Sequence, residues 1–253
     1  QLADALSKAL SSVPSVGVAG AGSGSSSKQL PADGSGQVFE TSYDSSDWSG
    51  NLQAFAVDAN GAKTGSSLWS AAGGVDAKAQ RAGRTTDNRT IYYMQAVAGT
   101  PTLRPFTYTQ LTTDGRQAAF DSFCTQAVVP AQCAGLSAAN RTLANNGANL
   151  VAWLRGASTY ETTNTTAPLY RARRTALGDI IGATPVFLSR PPFNYADPGY
   201  AAFKAAQASR KRVVYVAAND GMLHAFSANG DGVGDDAGTE LWAFVPSAVM
   251  SLV

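Results

Sequence analysis

Charge is scarce in this sequence. Asp, Glu, Lys and Arg make up 15% of its 253 residues, against about a quarter in an ordinary globular chain. The 19 basic and 18 acidic residues nearly cancel, leaving +1. Such a balance supplies no global field toward nucleic acid or anionic lipid. Histidine is scarcer still, with His224 alone. Two cysteines and one distant histidine are too few for a zinc site. No run is apolar enough for long enough to span a bilayer. The N-terminus has no charged segment leading into an apolar one, so no signal peptide is visible; a piece cut from a longer secreted precursor would look the same. No G-x-S-x-G segment offers His224 a nucleophile.

What is there suits a folded surface protein. Apolar residues make up 44%, enough for a substantial core. Ser, Thr, Asn, Gly and Ala supply most of the remaining surface, as in bacterial secreted proteins. Cys124 and Cys133 share the segment F-C-T-Q-A-V-V-P-A-Q-C. In an oxidising compartment a disulfide closing this loop is worth about 2–3 kcal/mol; the alternative is two unrelated thiols.

Along the chain, Leu2, Leu6 and Leu10 repeat at helical spacing over residues 1–13. A Gly/Ser-rich stretch at 18–28 then reads as a flexible connection. Residues 1–37 are therefore read as a helix and linker, the tail of something upstream, and 38–253 as the main domain. From Val38 short strands follow, with Ala59-Asn60-Gly61 as a hairpin turn and Leu68-Trp69 in the next strand. Residues 89–96 and 103–110 continue the β pattern. Residues 113–156 break it. Phe120, Phe123, Cys124 and Ala127 fall on one helical face after a cap at Thr113 or Asp114. Leu143, Gly147, Leu150, Val151 and Leu154 fall on another, stopped at Gly156. Strands resume at 179–189. A short helix capped by Asp197-Pro198 runs to about Ser209, and three tightly connected antiparallel strands follow. The fold class expected is mainly β, a partial β-propeller of antiparallel blades with a helical insertion around residues 113–156.

The propeller expectation rests on an internal echo. Trp48, Gly50, Leu52, Ala54 and Phe55 are followed by Leu68-Trp69; Gly221, Leu223, Ala225 and Phe226 are followed by Leu241-Trp242. Both read G-x-L-x-A-F, a turn, then L-W. Glycine permits the tight turn. Leu, Ala and Phe put one strand face into an inter-blade core. Tryptophan on the next strand wedges between blades. At about 40–50 residues per blade, three or four at most fit beside the insertion.

In order, Ser46-Asp47-Trp48-Ser49-Gly50-Asn51-Leu52, Leu150-Val151-Ala152-Trp153-Leu154-Arg155-Gly156, Tyr170-Arg171-Ala172-Arg173, Leu177-Gly178-Asp179-Ile180, Asn219-Asp220-Gly221-Met222-Leu223-His224-Ala225-Phe226 and Glu240-Leu241-Trp242-Ala243-Phe244-Val245-Pro246 resemble the propeller region of PilC/PilY-type pilus adhesins. The resemblance covers about residues 38–250. It implies a modified propeller at the tip of a type IV pilus, outside the cell after transit through periplasm and outer membrane. It also implies contact with minor pilins and with host or abiotic surfaces, in support of pilus assembly, adhesion and twitching motility. The family's calcium loop, of D-x-D-x-D type, is not found here; it is expected either to lie beyond residue 253 or to be missing. Ala157 follows Arg155-Gly156, so no R-G-D is present.

One segment has metal-ligand character of its own. Asn229, Asp231, Asp235 and Glu240 take positions 1, 3, 7 and 12 of a calcium-loop pattern with Gly234 at 6. Val233 at position 5 offers only backbone, and a polar hairpin loop is the plainer alternative. Trp48, Trp69, Trp153 and Trp242 read as core wedges before sugar platforms, and His224 as a satisfied structural histidine. Arg171, Arg173 and Arg174, and Arg210, Lys211 and Arg212, read as solvated faces or strand-edge guards before docking patches. No catalytic residue and no certain cofactor is assigned. The competing readings are a quinone-dependent propeller dehydrogenase, which shares D-G-x-L-x-A and Trp motifs but favours adjacent cysteines absent here, and a passive scaffold segment of a larger secreted propeller.

Overall fold

The computed structural model describes residues 19–25, 36–81, 83–125, 129, 131–191, 193–228 and 236–250. The expected helix over 1–13 lies outside them. Two sheets dominate. The first is a four-stranded antiparallel meander of β1 (Ala19–Ser25), β2 (Gln37–Asp44), β3 (Ser49–Val57) and β4 (Lys63–Ser70). The Gly/Ser stretch expected to be a linker thus supplies β1, which takes up the edge of β2; backbone pairing needs no particular side chain. The helix α1 (Ala71–Asp76) follows β4 directly.

The second sheet has six strands. β7 (Val186–Leu188), β8 (Val213–Ala218), β9 (Met222–Ser227) and β10 (Glu240–Val245) form another antiparallel meander. The hairpin of β5 (Ile91–Val97) and β6 (Thr100–Pro105) extends it, β5 lying parallel to β10. Strand 103–110 of the sequence reading ends early. Thr107 accepts a hydrogen bond from the Gln110 amide and caps α2 (Tyr108–Thr113), so local capping overrides the β-favouring Phe-Thr-Tyr.

The insertion is helical but broken. Thr113 ends α2 and Asp114 is its C-cap, not a start. Phe120 and Cys124 are buried from 3-10 and turn geometry. The helical face expected over 143–154 splits into α3 (Ala138–Ala144) and α4 (Gly147–Leu154), because Asn146 caps a new helix. Gly156 stops α4 at φ 107°, a conformation that favours glycine. Cys124 and Cys133 are bonded, with Cα atoms 5.6 Å apart, inside a core built from Tyr93, Phe106, Leu111, Phe120, Leu150 and Tyr170. Residues 179–185, expected as strand, form an irregular strap. The last small helix is α5 (Tyr200–Ala206), which begins after Gly199.

The echo occupies the same place twice. G-x-L-x-A-F lies on the third strand of each meander and L-W on the fourth. Ala54 pairs with Trp69 across β3 and β4, and Ala225 pairs with Trp242 across β9 and β10. The two meanders are repeats in pairing register as well as in sequence.

Their stacking is face to back. Leu52, Ala54, Trp69 and Phe39 of the first meander pack with Val214, Val216 and Phe226 of the second in one cluster, and the Phe39 and Phe187 rings stack at 5.4 Å. Leu223, Ala225 and Trp242, the counterparts of Leu52, Ala54 and Trp69, lie on the other face of their sheet, where Trp242 meets Tyr215 at 5.7 Å. This is how consecutive propeller blades meet, each offering the same face to its neighbour's back. It also corrects the sequence reading of Phe55 and Phe226. Each is adjacent to its alanine and so points to the opposite face. Phe226 is buried against the first meander, whereas Phe55 is half-buried under Lys63, whose ammonium sits 4.5 Å from the ring centre.

Candidate functional site

The seam between the meanders concentrates the motif residues. The strap Leu177-Gly178-Asp179-Ile180 runs between the start of β3 and the turn joining β8 to β9. The Gly50 amide donates to the Leu177 carbonyl at 3.0 Å, and Ser49 bridges to Gly178. On the other side the Gly178 amide donates to the Asp220 carboxylate at 3.3 Å. The Asn219 amide donates to the Asp179 carbonyl at 2.9 Å, and its side chain to the Asp179 carboxylate. Approach is tight enough to require glycine. A Cβ on Gly50 would lie 2.0 Å from the Gly178 oxygen, and one on Gly178 would lie 2.6 Å from the Asp220 nitrogen. Asp179 and Asp220 therefore hold the strap against the turn between β8 and β9. A second close approach repeats the device, since a Cβ on Gly74 of α1 would lie 2.0 Å from the Gly238 oxygen.

Behind this seam lies a buried charge network that sequence reasoning missed. His224 Nδ1 is 2.8 Å from Glu240 Oε1, and its Nε2 is 3.1 Å from both Asp220 oxygens. Arg89 donates to both Glu240 oxygens, at 2.8 and 2.7 Å. The side chains of Arg89, His224 and Glu240 are closed to solvent. Burial opposes a charge on His224, but Asp220 and Glu240 outweigh it and raise its pKa from 6.5 to about 9. Burial likewise opposes the Glu240 carboxylate, but Arg89 and His224 hold its pKa far below the usual carboxylate range. His224 is held on both sides by carboxylates, and its raised pKa favours the cation.

Glu240 is accordingly corrected as a calcium ligand: both its oxygens are taken by Arg89 and His224, on a strand. Asn229, Asp231 and Asp235 lie outside the described residues. Among the described residues no group of three or more His, Cys, Asp or Glu side chains could hold a metal ion. Of the four, Glu240 alone is described, and its carboxylate is committed to Arg89 and His224.

The other motifs also turn inward. Arg155 of W-L-R-G donates to the Phe106 carbonyl at 2.8 Å and the Arg89 carbonyl at 2.7 Å, and pairs with Asp87. Arg173 of Y-R-A-R is buried, donates to Glu161 at 2.9 Å, and lies 4.1 Å over the Trp153 ring. Arg174 reaches Asp44 and Asp47, and Arg171 the Asp47 carbonyl. Arg173 is thus consumed by the fold, whereas Arg174 keeps an exposed side chain while pairing with Asp44 and Asp47. Trp69 is buried in the inter-sheet cluster, 7% exposed. Trp48 is not: it is 49% exposed with φ 53°, in a turn where Asp47 accepts from the Ser49 amide and hydroxyl. The Asx turn, not core packing, sets its place. A cleft of about 140 Å³ opens at the seam beside Asp44, Asn51 and Arg174.

A family model described as the PilY1 beta-propeller domain matches residues 177–251, the strap and the second meander. A type IV pilus biogenesis factor PilY1 of Pseudomonas aeruginosa (strain PAK) is 31% identical over 222 residues, covering 84% of this chain and 16% of that protein. A type IV pilus biogenesis factor PilY1 homolog of Xylella fastidiosa is 42% identical over 115 residues, covering 43% of this chain and 9% of that protein. The chain spans 9% to 17% of the length of the curated relatives it matches. No solved structure matches it. With the motif order, the repeated register and these matches in agreement, the chain belongs to the PilC/PilY1 family and carries sequence of its β-propeller domain.

Proposed function

We propose that this chain is the propeller part of a type IV pilus-associated protein at the cell surface, acting by binding and not by catalysis. The observation that carries the reading is the match to named pilus biogenesis factors over 84% of the chain. The structure supports it in one respect. The most concentrated set of titratable groups, Arg89, Asp220, His224 and Glu240, is sealed and mutually bonded, which suits a framework better than a reaction centre.

In this reading the propeller sits at the pilus tip, contacts minor pilins and surfaces, and supports pilus assembly, adhesion and twitching. Deletion of the gene in its host tests it. Loss or alteration of surface pili, restored by the intact gene, is the expected result. Normal piliation, adhesion and twitching in the deletion contradict it. A pull-down of the purified chain with minor pilins separates a binding propeller from a passive scaffold, which would capture none.

A further inference from the structure

The excursion between β7 and β8 is unlike the rest of the chain. Its short helix α5 has no buried residue, although the segment is rich in aromatics. Phe193, Tyr195 and Phe203 are 44%, 55% and 46% exposed. Their rings contact one another instead of the core. Phe193 meets Tyr195 at 5.8 Å, Tyr195 meets Tyr200 edge-on at 4.9 Å, and Tyr200 meets Phe203 at 5.9 Å. Exposed aromatic clusters of this kind are costly in water and mark binding surfaces.

Three further features define what would bind. First, the arrangement is held in shape. Lys204 of α5 donates to the Phe193 carbonyl at 3.0 Å and the Asn194 side chain at 2.7 Å, and the Tyr200 hydroxyl donates to the same carbonyl at 3.3 Å. Second, loop and helix enclose an open cavity of about 510 Å³, lined by Arg190, Asn194, Tyr195, Tyr200 and Lys204 among others. That is the size of a small-ligand site. Third, the segment is basic. From Ser189 to Arg212 it carries Arg190, Lys204, Arg210, Lys211 and Arg212 against Asp197 alone. Lys211 pairs with Asp236, while Arg190 and Arg210 form no ion pair among the described residues.

We propose that this cavity binds an anionic saccharide. A sugar ring presents C–H bonds on one face, which pack on the electron-rich face of an aromatic ring. Tyr195 and Tyr200 supply such rings, and the Asn194 amide meets hydroxyl groups. Arg190 at the rim takes a carboxylate or sulfate in a forked, charge-assisted contact. A flat apolar partner would leave the Arg190 guanidinium and Asn194 amide unused, and a polyanion without ring faces would leave the tyrosines unused.

The proposal deepens the adhesion part of the function proposed above and rests on that reading for its biological sense. Its test is nevertheless made on the purified chain, so its failure leaves the deletion phenotype untouched, and the reverse. Titration of the chain with a galacturonate hexamer and a heparin hexasaccharide, followed by calorimetry, should show binding to at least one, and the preferred one tells carboxylate from sulfate. Maltohexaose should bind at least about tenfold more weakly. Tyr195→Ala and Arg190→Ala should each weaken binding about tenfold, and Tyr195→Phe should retain it. These side chains are exposed, so the thermal midpoint should not move. Absence of binding to both anionic oligomers, full binding by Tyr195→Ala, or equal binding of a thymidine hexanucleotide would overturn the proposal.

Discussion

Gly50 and Gly178 meet so closely that a Cβ on the first would stand 2.0 Å from the carbonyl oxygen of the second. One glycine opens β3 of the first meander, and the other lies in the strap that touches the second. Gly50→Ala must push the strap off the sheet, and overpacking of this kind costs about 1–3 kcal/mol. Gly73 in α1 is the control, since a Cβ there meets nothing within 4 Å and alanine favours a helix by up to about 1 kcal/mol. Denaturant unfolding should show Gly50→Ala destabilised and Gly73→Ala equal to or slightly above wild type.

The buried network sets a pH profile. His224 binds its proton more tightly folded than unfolded, so its contribution is complete below pH 6.5 and is lost as pH rises through about 9. Glu240 does the opposite. Its folded pKa is depressed, so its contribution is present above 4.5 and is lost as acid protonates the folded carboxylate. Thermal midpoints should therefore peak between about pH 5 and 6.5 and decline toward pH 9. His224→Gln should flatten the alkaline decline. Glu240→Gln leaves Arg89 buried without its partner and should cost about 3–5 kcal/mol near neutral pH.

The tryptophans rank by face and not by motif. Trp69→Ala empties the inter-sheet cluster and should cost about 3–5 kcal/mol. Trp242, its repeat counterpart, is half-buried on the opposite face beside Tyr215 and should cost clearly less in this chain. Trp48→Ala should stay within about 0.5 kcal/mol. Chemical denaturation of the three variants checks the order.

Reduction gives a local test. The Cys124–Cys133 bridge closes a loop of separation nine in the helical insertion, so breaking it should cost about 2–3 kcal/mol. Amide exchange should accelerate around α2 to α4 and much less in β2 and β3.

The legible parts of the molecule were those set by local pattern. Gly50 to Phe55 and Gly221 to Phe226 alternate over strand lengths and end in turn residues, so the third strand of each meander and its Trp-bearing partner could be read directly. The faces could not. Phe55 and Phe226 look equivalent in sequence, but which is covered depends on which sheet backs onto which. Long-range pairing was equally hidden: Arg89 and Glu240 lie 151 positions apart, and no local signal links Arg89 to His224. Trp48 was misread because its turn geometry comes from Asp47, while its bulk suggests core. The exposed cluster at Phe193 to Phe203 could not be read, because the spacing of Tyr200 and Phe203 on α5 is the same whether that helix face meets a core or solvent.

Within the cluster that joins the two meanders, Phe39 on β2 stacks on Phe187 of β7. A double-mutant cycle on Phe39→Ala and Phe187→Ala measures whether those sheets truly pack as neighbours. A coupling of about 0.5–1.5 kcal/mol is expected for such a stacked ring pair. Additive effects, with no coupling beyond about 0.3 kcal/mol, would mean the two rings do not meet and the sheets are not adjacent blades.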